Sequence, residues 1–378
     1  MNRQGTVSGL VVRRRLSMLG AACCAAVLFV QALSAAAAGE GSPEVEAQDV
    51  FRVGLGVYRE IAPDKGAAIL AKAVELDPQN ALYAIYLADA LYLSGDRNGS
   101  NEVASEIPKL LRDQALLYFY KGKRAQIKDD EETALFNFRE SLIIEPSTHA
   151  FYELAALEIK RDELQAAETD LAIGLKLYPN DYYLNNLRGS VRYRQGRYTE
   201  AIELFETAIE NNPALPWARI NRGLTLHMKG EHEKAIEEFD AVLSVYPDQD
   251  RAKFFKALAL EKMKRYGAAR AIIDELAEAS PLDASLWLVQ GWLYYKTDKV
   301  RQGETILKKY VEQCPDDAEG HYKLAALYAG RRKRREAFAR LRRALELNRV
   351  DTLLWIRADA EWDRYRDTKN FKALLKEY

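Results

Sequence analysis

The chain is poor in cysteine, with three among its 378 residues. Cys23 and Cys24 lie in the segment 1–38, which has the composition of an export signal, and Cys314 is the only cysteine after it. A single remaining thiol excludes a disulfide within the exported chain, even in an oxidising compartment. The folded part must therefore be stabilised by packing.

The sequence also lacks the residue groupings that catalysis and metal binding usually need. It has four histidines, no glycine-rich phosphate loop and no defensible Ser/His/Asp grouping. His227 and His232 are close in sequence, but no cysteine or third ligand adjoins them, so a metal site is not expected. We therefore expect no enzymatic activity, no cofactor and no bound metal.

Neither sign of charge dominates, because 55 Lys and Arg residues balance 56 Asp and Glu residues to a formal net charge of −1. Neutralising many nucleic-acid phosphates needs a strong basic excess, so nucleic acid is not an expected partner. Apolar residues make up 48% of the chain and charged residues 29%, which are ordinary globular proportions and argue against wholesale disorder.

The segment 1–38 resembles a secretory signal peptide. Arg13, Arg14 and Arg15 precede a mostly apolar stretch over 16–33, and small residues with cleavage-site spacing follow. We expect export, to the bacterial periplasm. The paired arginines also fit a twin-arginine signal, and residues 16–38 are nearly long enough to span a bilayer, so an uncleaved inner-membrane anchor is the alternative. Membrane contact is expected only in that uncleaved case.

Seven of the 11 prolines share one phase along the chain, with a spacing of about 34 residues apart from one double interval. They are Pro78, Pro146, Pro179, Pro213, Pro247, Pro281 and Pro315. Counting back from each proline places the starts of repeats 1 to 9 at 47, 81, 115, 148, 182, 216, 250, 284 and 318, and a partial repeat 10 at 352. Residues 39–46 are then a linker.

Small residues recur at two places in each repeat. The eighth position is Gly or Ala, and the twentieth is Gly, Ala or Ser, in all nine complete repeats. Small side chains let two helices approach closely, and a bulky apolar residue at the twenty-fourth position, such as Phe205, fills the remaining space. The segment between the two helices is polar, often with Gly. Candidate helix-capping residues follow four of the prolines, at Asn80, Asp181, Asp283 and Asp317, and Asp351 occupies the equivalent position at the end of repeat 9.

This pattern of helix, turn and helix resembles the tetratricopeptide repeat family over essentially the whole exported chain. The resemblance implies an all-α fold, a right-handed α-α superhelix of about ten hairpins over 47–378. Repeats 5 and 6 match best. Repeat 2 departs at Arg112, where proline is expected. Repeat 10 departs at Asp359 and Phe371, and we expect it to cap the C-terminal end.

The resemblance also implies a concave groove lined by the first helix of each repeat, through its second, fifth, ninth, twelfth and thirteenth positions. The candidate groove residues are Tyr152, Tyr183, Asn186, Tyr193, Trp217, Ile220, His227, Phe254, Trp292, Tyr295 and Tyr322, with Phe51, Tyr58, Ile85, Tyr92 and Phe119 before them. Such an aromatic strip suits peptide or sugar binding. Burial of individual residues against neighbouring helices is the alternative.

The family's carboxylate clamp uses Lys at the fifth and Asn at the ninth position. These residues are missing from those positions here, so a clamp of that type is not expected.

One run of positive charge is a candidate site for an anionic partner. It comprises Arg331, Arg332, Lys333, Arg334 and Arg335, on the turn and second helix of repeat 9. A solvated turn is the simpler interpretation, because charge runs usually face water.

These features predict a non-enzymatic scaffold of the cell envelope that binds a protein or peptide segment in its groove. The alternative is an accessory factor for exopolysaccharide synthesis or export, with polysaccharide as a partner. That alternative rests on class resemblance alone.

Overall fold

The computed structural model describes residues 43–280 and 283–378, so the candidate signal segment lies outside the described residues. Over the described residues the chain forms 20 α-helices and one short 3₁₀ turn, with no strand. The predicted all-α repeat fold is confirmed. The chain divides into two compact units, unit 1 up to Thr225 and unit 2 from Leu226.

Unit 1 contains five helical hairpins. They are α1 (Pro43–Glu60) with α2 (Pro63–Leu76), α3 (Ala81–Leu93) with α4 (Arg97–Leu110), α5 (Gln114–Ile127) with α6 (Glu131–Ile144), α7 (Thr148–Lys160) with α8 (Leu164–Leu177), and α9 (Tyr182–Arg194) with α10 (Tyr198–Asn211). The two helices of each hairpin pack together, and α2, α6 and α8 also pack on the first helix of the next hairpin. Helix α11 (Pro216–Met228) follows.

Unit 2 repeats the same arrangement. Its helices are α12 (His232–Val245), α13 (Asp250–Lys262), α14 (Tyr266–Ala279), α15 (Ala284–Lys296), α16 (Val300–Gln313), α17 (Ala318–Gly330), α18 (Arg334–Leu347), α19 (Arg349–Ala358) and α20 (Lys369–Lys376), with a 3₁₀ turn at Ala360–Trp362. From α12 to α19, each helix packs on the next along the chain.

The first helices of repeats 2 to 9 begin within one residue of the starts counted from the sequence. Two starts differ. Helix α1 begins at Pro43, so residues 43–46 are helical and not a linker. Helix α19 begins at Arg349, before the expected 352, because the side chain of Asn348 accepts from the backbone N–H of Asp351 and caps the helix there.

Three of the predicted capping residues act as caps. Asp181, Asp283 and Asp317 each accept a hydrogen bond from a backbone N–H in the first turn of the following helix. Asn80 precedes α3 but its side chain makes no capping bond. Asp351 lies inside α19, so its assignment as a cap is wrong.

Each hairpin turn from repeat 2 to repeat 9 places its fifteenth residue in the left-handed region of backbone conformation. The eight residues are Gly95, Asp129, Asp162, Gly196, Gly230, Lys264, Asp298 and Arg332, with φ between 59° and 91°. Glycine reaches this region without a steric penalty, and Asp tolerates it better than long side chains do. Lys264 and Arg332 therefore occupy a backbone position that disfavours them.

The small and bulky positions of the repeat meet in the core, as predicted. The twenty-fourth residues Phe138, Phe205 and Phe239 are buried. A Cβ atom added at Gly189 would come within 2.5 Å of the Phe205 ring, and one added at Gly122 would come within 2.5 Å of the Phe138 ring. Helices α5 and α6, like α9 and α10, can pack this closely only because these positions lack a side chain.

The C-terminal segment covers the last hairpin. Trp362 and Phe371 are buried and stack with ring centres 5.5 Å apart, against Phe338 and Tyr365. This placement is the one expected of a capping element. Among the described residues, the structure contains no helix with the length and apolar character needed to cross a membrane.

Candidate functional site

The C-terminal end of α1 packs against aromatic residues at candidate groove positions of unit 1. The guanidinium carbon of Arg59 lies 3.6 Å from the ring centre of Tyr152 and 4.6 Å from that of Tyr183. Its Nη2 atom donates to the Tyr86 hydroxyl at 2.8 Å and to the Glu153 carboxylate at 3.1 Å. Aromatic faces attract a desolvated cation, and the carboxylate balances its charge. The Arg59 side chain is consequently only 4% exposed.

Glu60 connects the same helix end to α9 and α11. Its Oε2 atom accepts from the Tyr182 hydroxyl and from the backbone N–H of Trp217, each at 3.0 Å. The Glu60 backbone carbonyl accepts from the indole N–H of Trp217 at 2.8 Å. Its Oε1 atom is buried and has no hydrogen-bond partner among the described residues. Burial raises the pKa of Glu60 to about 8, against the opposing effect of the bonds from Trp217 and Tyr182. The carboxyl group is therefore mostly protonated at neutral pH.

Beside Arg59 lies a buried ion-pair group. The Lys123 ammonium is 2.6 Å from the Asp89 carboxylate and 3.1 Å from the Glu153 carboxylate. Burial alone would lower the pKa of Lys123, but the two carboxylates raise it. Burial alone would raise the pKa of Glu153, but Lys123 and Arg59 lower it. Burial lowers the pKa of the adjacent His149 to about 3, so its ring is neutral.

For several groove positions of unit 1, these contacts favour the alternative interpretation, burial against neighbouring helices. Tyr152 and Tyr183 stack on Arg59, and Trp217 is bonded to Glu60. Four other groove candidates of unit 1 are buried, namely Phe51, Ile85, Phe119 and Ile220. The physical reason is that α1 brings its own cation and carboxyl group to the aromatic positions. Partner binding at these positions stays a prediction, and the structure gives them internal contacts instead.

Two further groove candidates of unit 1 are partly exposed. Asn186 accepts a hydrogen bond from the side-chain amide of Asn221, on α11, at 3.0 Å. Tyr193 packs on Tyr198 with ring centres 5.8 Å apart. Neither lies in the Arg59 and Glu60 contacts.

In unit 2, Trp292 and Tyr322 are also more buried than expected. The indole N–H of Trp292 donates to Glu261 at 3.0 Å, and the Tyr322 hydroxyl donates to Asp359 at 3.0 Å. Tyr322 also packs on Trp355 and Trp362 of the C-terminal segment, with ring centres 5.2 and 6.4 Å away. Tyr295 stays partly exposed and packs on Trp292 with ring centres 5.5 Å apart.

His227 and His232 are paired, with ring centres 4.8 Å apart. Burial lowers the pKa of His227 to about 4, and the neighbouring His232 adds to the effect. Across the described ranges, no group of three or more His, Cys, Asp or Glu residues is arranged to hold a metal ion.

Phe254 lines an open cleft of about 230 Å³ in unit 2. The cleft lies where α13 begins, α14 ends and α15 begins. Arg251 and Phe254 occupy the second and fifth positions of repeat 7, and Ser285 the second position of repeat 8, which are groove positions. The remaining lining residues are Asp250, Leu276, Ser280, Asp283 and Leu286. Phe254 gives the cleft one apolar surface, and charged and hydroxyl groups surround it. This combination suits one amino-acid side chain and the adjoining peptide backbone.

The candidate anionic-partner residues are at the surface of unit 2. Arg331, Arg332, Arg334 and Arg335 are exposed, and Lys333 is partly exposed. Arg331 and Lys333 pair with Glu304 of α16, at 2.8 and 3.3 Å.

Sequence reasoning missed Arg59, Glu60 and Lys123. A signal for part of this group was present, because Asp89 and Lys123 occupy the ninth position of successive repeats. Equivalent positions of neighbouring repeats are adjacent in a stacked array, so opposite charges there predict an ion pair. No periodic signal marks Arg59 and Glu60, which reach residues several repeats away.

Two family models match consecutive parts of the chain. The one described as "TPR repeat" matches residues 189–230, and the one described as "Psidin, N-terminal TPR repeats region" matches residues 228–347. With the stacked hairpins, these matches define a tetratricopeptide repeat protein. The tetratricopeptide repeat fold generally serves as a scaffold for protein or peptide partners, and proteins built from it are generally not catalytic.

Two curated proteins are similar to parts of this chain. A TPR repeat-containing protein of Methanocaldococcus jannaschii is 28% identical over 119 residues, covering 29% of this chain and 21% of that protein. DnaJ homolog subfamily C member 3 of Rattus norvegicus is 24% identical over 210 residues, covering 55% of this chain and 38% of that protein. The chain thus spans well under half the length of either relative.

Two solved structures share the fold. A tetratricopeptide repeat protein from Parabacteroides merdae has a TM-score of 0.52 at 18% identity, covering 70% of this chain and 98% of that one. The APC/C hetero-tetramer Cut9–Hcn1 has a TM-score of 0.60 at 18% identity, covering 72% of this chain and 54% of that one.

Proposed function

We propose that the chain is a non-enzymatic interaction scaffold of the cell envelope, located in the bacterial periplasm, that binds a segment of a partner protein on unit 2. The observation that carries this proposal is the cleft beside Phe254, because it places an open, mixed-polarity surface at groove positions of repeats 7 and 8. In unit 1 the corresponding aromatic positions are engaged by Arg59 and Glu60.

The chemistry of the cleft defines the expected ligand. Phe254 offers apolar contact to one side chain, while Arg251, Asp250 and Asp283 offer charged groups at the rim. An apolar anchor surrounded by polar groups is the usual arrangement of a binding hot spot. The ligand is therefore an extended segment with one apolar or aromatic anchor residue.

The experiment selects peptides from a random library against the full chain and measures their affinities by fluorescence anisotropy. Phe254→Ala should weaken the selected peptides about tenfold or more, the effect of losing a hot-spot contact. Ser285→Trp should also weaken them, by occupying the cleft. Phe136→Ala is the matched control, since Phe136 is an exposed phenylalanine of unit 1.

Thermal denaturation followed by circular dichroism checks that each variant is folded. Unchanged peptide affinity in both cleft variants would place the binding site elsewhere and contradict the proposal. The envelope location is tested by cell fractionation with N-terminal sequencing of the recovered protein. Recovery of the uncleaved chain from the cytosol alone would contradict that part.

A further inference from the structure

The hairpin turns of repeats 7, 8 and 9 form one edge of unit 2 that is strongly basic. Residues 262–268, 296–302 and 330–336 contain 11 Lys and Arg residues and only two acidic residues, Asp298 and Glu336. The basic residues are Lys262, Lys264, Arg265, Lys296, Lys299, Arg301, Arg331, Arg332, Lys333, Arg334 and Arg335, hereafter the basic edge. The candidate residues 331–335 are thus one part of a larger surface.

Contacts between successive repeats show that the three turns are neighbours. Arg270 of α14 donates to the Thr297 hydroxyl, in the turn of repeat 8, at 2.8 Å. Arg331 and Lys333, in the turn of repeat 9, pair with Glu304 in the first turns of α16. The first helices of repeats 7, 8 and 9 run in the same direction. The turn that follows each of them therefore lies at the same end of its hairpin.

Most of this charge is not neutralised by residues that the structure describes. The side chains of Lys264, Arg265, Arg301, Arg332, Arg334 and Arg335 are exposed, and none forms an ion pair with a described residue. The equivalent turns of repeats 2 to 5 in unit 1 carry eight acidic and six basic residues, and several of these pair with each other, as Lys160 does with Glu131. A basic excess is therefore a property of this edge and not of the repeat.

Two of the basic residues occupy backbone conformations that are unfavourable for long side chains. Lys264 and Arg332 have φ values of 60° and 61°, in the left-handed region. The other six turns have Gly or Asp at this position. A long side chain is disfavoured there, so folding alone would select Gly or Asp, and strain of this kind clusters at functional sites.

We propose that the basic edge binds the surface of a bilayer that contains anionic phospholipids. A row of exposed, unpaired Lys and Arg side chains is attracted by the field of an anionic membrane without needing a shaped pocket. The sequence favours this occupant over a free polyanion, because Arg13–Arg15 and the apolar stretch 16–33 are expected to bring the chain to a membrane. The edge is distinct from the cleft beside Phe254, so this inference does not depend on the peptide site.

The test measures partition of the full chain onto phosphatidylcholine vesicles, with and without phosphatidylglycerol as roughly one lipid in three. The variant Lys264→Gly with Arg332→Gly should bind the anionic vesicles about 25-fold more weakly, at roughly fivefold per charge removed near the surface. The same variant should melt at a higher temperature, because glycine relieves the left-handed strain. Lys264→Arg with Arg332→Lys should bind like the original chain.

The control variant is Lys128→Gln with Lys176→Gln, which removes two exposed lysines of unit 1. All variants keep the same N-terminal segment, so differences in partition report the folded part. Binding should fall as salt rises from about 50 to about 500 mM, as screening requires. The proposal is overturned if the double glycine variant partitions onto anionic vesicles like the original chain, or if the original chain binds a soluble polyanion such as heparin but no vesicle.

Discussion

Glu60→Gln should remove a pH dependence from the stability of unit 1. Glu60 is 5% exposed, and its pKa is raised to about 8 in the folded chain. The unfolded chain has an ordinary glutamate, which releases its proton near pH 4.3. Between these values the folded state binds a proton that the unfolded state has lost. The stabilisation is thus fully present below about pH 4 and is lost as pH rises through 8.

The size of the effect follows from linkage. Near pH 7 the folded state holds almost one extra proton, so the free energy of unfolding should fall by roughly 1.2 kcal/mol per pH unit. From pH 6 to pH 8 the loss is about 2 kcal/mol. His149 has the opposite effect on the free energy of unfolding. Its pKa is lowered in the folded chain, so it destabilises the fold only when the pH falls below the ordinary histidine pKa near 6.5. Glu158, whose burial raises its pKa to about 7, is present in both proteins and cancels in the comparison.

The assay is urea-dependent hydrogen exchange, followed by mass spectrometry on peptides from α1 and α9 to α11, at pH 6, 7 and 8. Glutamine keeps an acceptor for Tyr182 and Trp217, so the hydrogen bonds at Oε2 can persist. The slope with pH should be shallower in Glu60→Gln by about 1 kcal/mol per unit. The exposed Glu336→Gln is the control and should follow the original chain. Equal slopes in all three proteins would show that Glu60 is ionised in the folded state and would refute the reasoning.

Two further predictions concern the core of unit 1. Phe205→Ala should lower the free energy of unfolding by ~3–5 kcal/mol, because it empties a fully buried site against Gly189; a loss under about 1 kcal/mol in urea denaturation would show that Phe205 is not core. Lys123→Ala should cost about 3–5 kcal/mol, because it leaves the Asp89 and Glu153 carboxylates buried without their common cation. Asp89→Asn in the Lys123→Ala background should recover part of that loss, and no recovery would mean that lost packing, not the uncompensated charge, sets the cost.

The repeat itself could be predicted from the sequence because it depends on local, periodic constraints. A small residue at Gly189 and a bulky one at Phe205 must recur wherever two helices approach at the same distance. Proline and the capping residues then fix where helices begin, which is why most starts were within one residue. The differences fall at α1 and α19, where the flanking residues are not those of a complete repeat.

The surface could not be predicted in the same way. Whether an aromatic residue at a groove position faces solvent depends on what else reaches it, and Arg59 reaches Tyr152 from 93 positions earlier in the sequence. No periodic pattern contains that information. Phe254 stays accessible because the neighbouring helix ends leave a cleft, which is a property of packing and not of residue type.

The contacts of Arg59 and Glu60 also have a consequence for how the chain folds. Repeat arrays usually fold by local steps, since each repeat touches only its neighbours. Here α1 bonds to residues 94, 122 and 157 positions further along, at Glu153, Tyr182 and Trp217. Closing such long loops is slow, because chain entropy is lost before the contacts form. Helix α1 cannot complete its bonds until residue 217 is in place, so the first of the described helices should be among the last to become fixed.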